Sequence, residues 1–261
     1  MMRLKDLGIV ESKDALNDIP DGKVLINTIN AHSFNVAQKD ELFAKALKTV
    51  DNGQSTIDNE CVKFLIPDGE SIVKACRFLG AKSQPKERIA GWDLFSFEMD
   101  RLERKSEVLG KNSQKLRVMF MGSSEKVLAL IKEKAAVDYP NLEIVTYSPP
   151  YKPEFSDEDN AAIIKAINEA DPDLLWIGMT APKQEKWAYS NWKELNIHCH
   201  VGTIGAVFDF YAGTAARAPQ WWQNHSLEWL YRLMKEPKRM WRRYVLGNPL
   251  FLWNVSKERI C

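Results

Sequence analysis

Between residues 116 and 201, short apolar runs alternate with longer segments whose apolar positions recur every three or four residues. Residues 116–122, 142–147, 174–179 and 198–201 read as strands, because each is short, rich in branched or aromatic side chains and bounded by polar turns. Residues 125–137, 157–170 and 183–195 read as helices between them. This βαβ alternation predicts parallel strands joined by right-handed crossovers. Ligands of such sheets sit beyond the carboxyl ends of the strands. The loops Gly122-Ser-Ser124, Gly178-Met-Thr-Ala-Pro-Lys-Gln184 and Gly202-Thr-Ile-Gly205 are therefore expected to face one shared crevice.

The first hundred residues are less regular but contain two similar strand ends. Residues 23–28 run into Ile29-Asn-Ala-His-Ser33 and a helix, and residues 62–66 run into Pro67-Asp-Gly69 and another helix. Residues 51–60 are polar and turn-rich, as expected of an exposed loop or hairpin. Beyond residue 221, cations and large aromatics share an amphipathic stretch, with Arg232, Lys235, Arg239 and Arg243 at three- and four-residue steps. The fold expected is α/β, a Rossmann-like parallel sheet flanked by helices over 1–220, followed by a C-terminal amphipathic helical appendage over 221–261.

Charge sharpens that division. The net charge of +1 hides a body of net −4 (28 Lys/Arg, 32 Asp/Glu) and a tail of net +5 (8 Lys/Arg, 3 Asp/Glu). A polarised chain of this kind points to an anionic partner. Because the cations are confined to one terminal segment that also holds Trp229, Tyr231, Trp241, Tyr244, Phe251 and Trp253, phosphate or a membrane surface fits better than nucleic acid. Four scattered cysteines without CxxC spacing, and a start without a basic region and apolar run, argue against a disulfide framework and a signal peptide; a cytoplasmic location is expected. The apolar stretch 244–255 is short and broken by Gly247 and Pro249, so any membrane contact is expected to be peripheral.

Several residues suit chemistry, each beside a plainer alternative. Asp68 ends a strand, where a general base can take a proton from a hydroxyl, although Pro-Asp-Gly is also ordinary turn chemistry. Gly122 opens a strand-to-helix loop whose amides can hold a phosphate or ribose, but the further glycines of a dinucleotide motif and the lysine of a P-loop are missing. Pro182-Lys-Gln-Glu-Lys-Trp187 reads first as a well-formed helix start, with Gln184 able to donate its amide to a sugar hydroxyl. His198-Cys-His200 places both histidines on one strand face but offers no third ligand, and Asp171-Pro-Asp173 lies at the wrong end of the sheet for a metal-bound nucleotide. No metal and no cofactor is expected.

Taken in order, Asn27-Thr-Ile-Asn-Ala-His32, Pro67-Asp-Gly69, Arg88-Ile-Ala-Gly-Trp-Asp-Leu-Phe95, Pro182-Lys-Gln-Glu-Lys-Trp187, Gly205-Ala-Val-Phe-Asp-Phe-Tyr-Ala-Gly213, Arg217-Ala-Pro219 and Leu227-Glu-Trp-Leu-Tyr-Arg-Leu-Met-Lys-Glu-Pro237 resemble the WecG/TagA/CpsF family, glycosyltransferase family 26. The resemblance implies inverting transfer of a sugar (N-acetylmannosamine, its uronic acid or a related hexose) from a UDP-sugar to a polyprenyl-diphosphate-linked saccharide in bacterial surface polysaccharide synthesis. It implies Asp68 as the base. Thr28, Asn30, Arg88, Gln184 and Asp209 are implied as substrate contacts. The appendage is implied in peripheral membrane association, at the inner face of the cell membrane, and in completing the site, with Arg232, Arg239 and Arg242 or Arg243 as candidates for the diphosphate. On that view, deletion beyond Trp221 is expected to spare the fold and abolish transfer. A uronic acid donor would call for an extra cation, such as Lys183 or Lys186. The alternative function is a noncatalytic UDP-sugar-binding or membrane-docking relative, and homo-oligomerisation is left open.

Overall fold

The structure, a computed structural model, describes residues 2–49, 61–110, 113–219, 221–222 and 227–260, apart from the Arg239 side chain. The polar loop expected over 51–60 lies outside the described residues. Six strands, β1 (Val24–Ile29), β2 (Val62–Pro67), β3 (Leu116–Gly122), β4 (Leu142–Tyr147), β5 (Leu174–Gly178) and β6 (His200–Thr203), form one all-parallel sheet in the order β2-β1-β6-β5-β3-β4. The expected α/β architecture is what the chain adopts.

Strand alternation divides the core into two layers. Val118, Phe120 and Trp176 face one side with Phe95 and Phe208, while Met119, Leu175 and Val201 face the other with Trp187 and Trp192. Both faces are covered by helices, as a parallel sheet requires. The helices are α1 (Ala31–Ala37), α2 (Glu41–Leu47), α3 (Glu70–Leu79), α4 (Gly91–Leu109), α5 (Glu125–Asp138), α6 (Asp157–Ala170), α7 (Lys183–Ser190) and α8 (Val207–Tyr211).

Two expected boundaries move. The helix expected over 183–195 ends at Ser190, because the Asn191 amide donates to the Trp187 carbonyl and Lys23 Nζ takes the carbonyls of Trp192 and Leu195. The last strand begins at His200 rather than His198. His200 is buried, with Nδ1 2.9 Å from Glu98 Oε1 and Nε2 3.0 Å from the Pro20 carbonyl, whereas His198 is exposed. Asp171 and Asp173 form the expected helix-to-strand turn, in which Asp173 Oδ2 accepts the Arg117 N–H.

The tail continues as α9 (Glu228–Lys235), α10 (Pro237–Trp241), a wide π turn (Arg242–Leu246) and α11 (Gly247–Ile260). Pro237 occupies the first turn of α10, where its missing N–H costs nothing. Helix α11 is built into the body: Phe251 and Val255 are buried with Leu4, Phe34 and Ile72, and the Glu258 carboxylate accepts the backbone N–H groups of Leu4 and Lys5 at 2.9 and 2.6 Å. Deletion beyond Trp221 would therefore strip part of a core, which argues against its sparing the fold. Among the described residues, no helix is long and apolar enough to cross a membrane.

Candidate active site

The carboxyl ends of β1 and β2 open into a cavity of about 580 Å³, roofed by α9 and α11. Asn30 sits at its edge as the N-cap of α1: Oδ1 accepts from His32 N and Ser33 N, leaving the amide nitrogen for a ligand. Asp68 follows β2, and its backbone N–H donates to the Ile29 carbonyl at 2.8 Å, which ties the Pro67-Asp-Gly69 turn to the end of β1. Arg88 is held alongside because Ile89 N–H donates to the Pro67 carbonyl at 3.0 Å. Arg232 and Arg243 reach the same cavity from the tail.

Asp68 is enclosed by protein except where it meets the cavity. Burial pushes its carboxyl from 3.8 up to about 6, with the Glu228 charge adding to the rise and the Arg232, Arg88 and Arg243 cations opposing it. Glu228 bridges two of those cations, accepting from Arg88 Nη1 at 3.0 Å and Arg232 Nη2 at 2.6 Å. Burial raises the Glu228 carboxyl, but Arg232 and Arg88 outweigh it and hold the group below its ordinary value. His32, in the cavity wall, is lowered to about 4 by burial and by Arg243, so the ring is neutral near pH 7.

A second cluster forms where β3, β5 and β6 end. Strand β3 leads outward to β4 and β5 leads back to β6, so the sheet reverses direction between them, the place where ligands of such folds bind. Gly122 is required there. Its φ is +122°, and a Cβ would stand 2.4 Å from the Gly178 carbonyl oxygen. Ser123 N–H donates to that same carbonyl, and Gln184 Oε1 accepts the Met179 N–H at 3.1 Å while Nε2 donates to Glu185 Oε1 at 2.9 Å. Gly205 packs against Met179 and Gln184. The three loops thus adjoin one another, but the large cavity lies beside β1 and β2 instead.

The chain therefore brings Asn30, Asp68, Arg88, Arg232 and Arg243 into one cavity, and Gly122 and Gln184 into a neighbouring loop cluster. Thr28 lies within β1, two residues before Asn30. Asp209 lies on α8, next to Phe210, whose ring carries the Arg232 guanidinium at 5.1 Å, so α8 joins the two regions. Arg242 turns away from Asp68 into a shallower recess with Lys39, Asp40 and Leu250, because the π turn sends neighbouring residues to different sides. The Arg239 side chain lies outside the described residues. Glu228 and His32 were not singled out from sequence. The signal for Glu228 was its i,i+4 spacing from Arg232, which reads equally as a surface ion pair.

The parallel α/β sheet thus carries, at a strand end, a cavity in which the Asp68 and Glu228 carboxylates meet three guanidinium groups. The chain belongs to the Glycosyl transferase WecG/TagA/CpsF family, whose model matches residues 5–261. It is similar to the N-acetylglucosaminyldiphosphoundecaprenol N-acetyl-beta-D-mannosaminyltransferase of Bacillus subtilis, with 33% identity over 196 residues, 75% of this chain and 69% of the relative. The protein of the same name from Bacillus spizizenii is 31% identical over 195 residues, 75% of this chain and 68% of that relative.

Proposed function

We propose that the chain transfers N-acetylmannosamine or a closely related hexose from a UDP-sugar to a polyprenyl-diphosphate-linked saccharide, with inversion at the anomeric carbon. The observation that carries this is Asp68, raised to about 6 and facing Arg88, Arg232 and Arg243 in one cavity. The acceptor hydroxyl loses its proton to the Asp68 carboxylate as its oxygen attacks the anomeric carbon. The bond from that carbon to the UDP oxygen breaks on the opposite face, and Arg88 and Arg232 receive the charge growing on the diphosphate. A single displacement inverts the configuration.

The nucleotide is assigned to the strand ends at Gly122 and Gln184, with Asp209 on α8 as a further contact; Gln184 holds the Met179 loop there and donates to Glu185. Asn30 and Thr28 lie toward the acceptor side. The uncharged N-acetylated sugar in the relatives' names is favoured over its uronic acid. Trp241, Val245, Leu246 and Leu250 are exposed on the tail beside Arg242, a surface suited to peripheral contact with a bilayer carrying the acceptor.

The test is UDP release from a panel of UDP-sugars with a lipid-diphosphate-linked acceptor in detergent, wild type beside Asp68→Asn. Acceptor-dependent release with one sugar, lost in the variant, supports transfer and the base together. Release by wild type and variant at equal rates refutes the role of Asp68; no release with any sugar refutes the activity.

A further inference from the structure

The cavity that holds Asp68 continues as a groove between α3 and α11. Ser71, Lys74, Ala75 and Phe78 line one wall, and Asn248, Leu252, Val255 and Ser256 line the other. Both series advance by helical steps, so each is one face of its helix. Arg259, near the end of α11, lies 4.1 Å over the ring of Phe78, near the end of α3; the two helices thus lead away from Asp68 together. From Glu70 to Phe78 the groove is about 12 Å long at the rise of an α-helix. Its character changes along that length. Near Asp68 stand Arg243, Tyr244 and Asn248, and farther out the walls are mainly apolar, with Ala75, Phe78, Leu252 and Val255 beside Ser256; Phe78 is 48% and Leu252 63% exposed.

We propose that this groove takes the first isoprene units of the polyprenyl chain of the acceptor. The inference rests on the transfer reaction proposed above and extends it to how the lipid is recognised. One cavity offers, in order, a base, cations and an apolar trough; the acceptor offers, in the same order, a hydroxyl, a diphosphate and a hydrocarbon. With Arg88 and Arg232 beside the leaving group, Arg243 and Lys74 are the cations for the acceptor diphosphate. The outer half of α11 also carries exposed Leu252 and Trp253, with Lys257 over the Trp253 ring and Arg259 over Phe78, a mixture of apolar and cationic groups suited to a lipid–water boundary. A chain held there leaves toward the bilayer with its saccharide at Asp68.

Two variants alter the end of the cavity far from Asp68: Phe78→Asp makes the trough polar, and Ser256→Trp fills it. Each is assayed with the same saccharide diphosphate on a polyprenyl chain and on a short alkyl chain, both in detergent. The expected result is a KM for the polyprenyl acceptor raised at least tenfold, with kcat, the donor KM and all constants for the short-chain acceptor unchanged. Equal effects on both acceptors, or no effect on either, would overturn the groove. A dimer that dissociates on Phe78→Asp with no change in acceptor KM would overturn it too, by assigning the trough to a second copy of the chain. If the wild type transfers to neither acceptor, the proposed reaction fails separately. The groove is then read from photolabelling with a diazirine-bearing polyprenyl diphosphate lacking the saccharide: adducts within residues 70–79 and 247–260 support it, and labelling confined elsewhere overturns it.

Discussion

Asp68→Asn should remove activity and add stability, and the added stability should depend on pH in a defined direction. The carboxyl is raised from 3.8 to about 6, chiefly by burial, so it binds its proton more tightly in the folded chain than in the unfolded one. Its titration favours folding fully below about 3.8, and that contribution is lost as pH rises through about 6. Ionised at pH 8, Asp68 costs the fold about 3 kcal/mol by this reckoning. Water at the cavity mouth and relaxation of the three arginines reduce the cost, to about 1–2 kcal/mol. Asparagine has nearly the same shape and carries no charge, so the variant escapes the cost at pH 8 and gains little near pH 4, where folded Asp68 is protonated. Urea unfolding of both proteins at the two pH values measures this as a difference of differences, in which every other titrating group cancels. An Asn variant no more stable than wild type at pH 8, or stabilised equally at both pH values, would refute the claim that burial holds this carboxylate ready. In the transfer assay, wild-type kcat/KM should fall about tenfold per pH unit below about 6. The variant should lose about 10²- to 10⁴-fold, the usual share of a general base.

Glu228→Gln removes a negative charge that raises Asp68, so the acid limb of kcat/KM should move below 6; a limb that stays or rises contradicts the electrostatic account. Gln184→Ala leaves the Met179 N–H and the buried Glu185 carboxyl without their partner, which should cost about 1–3 kcal/mol in thermal or urea unfolding. The donor KM should rise as well, and unchanged stability would show that the amide is not holding the loop. A chain ending before Gly247 should lose well over the about 1.5–3 kcal/mol that burying each of Phe251 and Val255 supplies, and with it cooperative unfolding; a fully stable truncation would show that α11 is dispensable to the core.

Periodicity located the sheet because both of its faces are packed: Leu174 to Ile177 and Val118 to Met121 form short unbroken apolar runs, rich in branched and aromatic residues, as strands buried on both faces do. It misplaced the start of β6 because what decides that boundary is remote, Glu98 from α4 and the Pro20 carbonyl meeting His200. Asp68 was legible for a local reason, an acid placed directly after an apolar strand. Glu228 was not, because the same Glu-to-Arg spacing describes a solvated ion pair, and only Arg88, 140 residues away in sequence, turns it into a bridge between two cavity cations. Helix α11 hid its role in a different way. Its apolar residues lie on several faces, Phe251 and Val255 inward and Leu252 and Trp253 outward, so the sequence reads as a membrane-seeking segment. The fold shows that one helix serves three neighbours: its inner face completes the core, its end fixes the N-terminus through Glu258, and the face toward α3 walls the cavity of Asp68. Any displacement of α11, by lipid or by mutation, must therefore change the core and the cavity together.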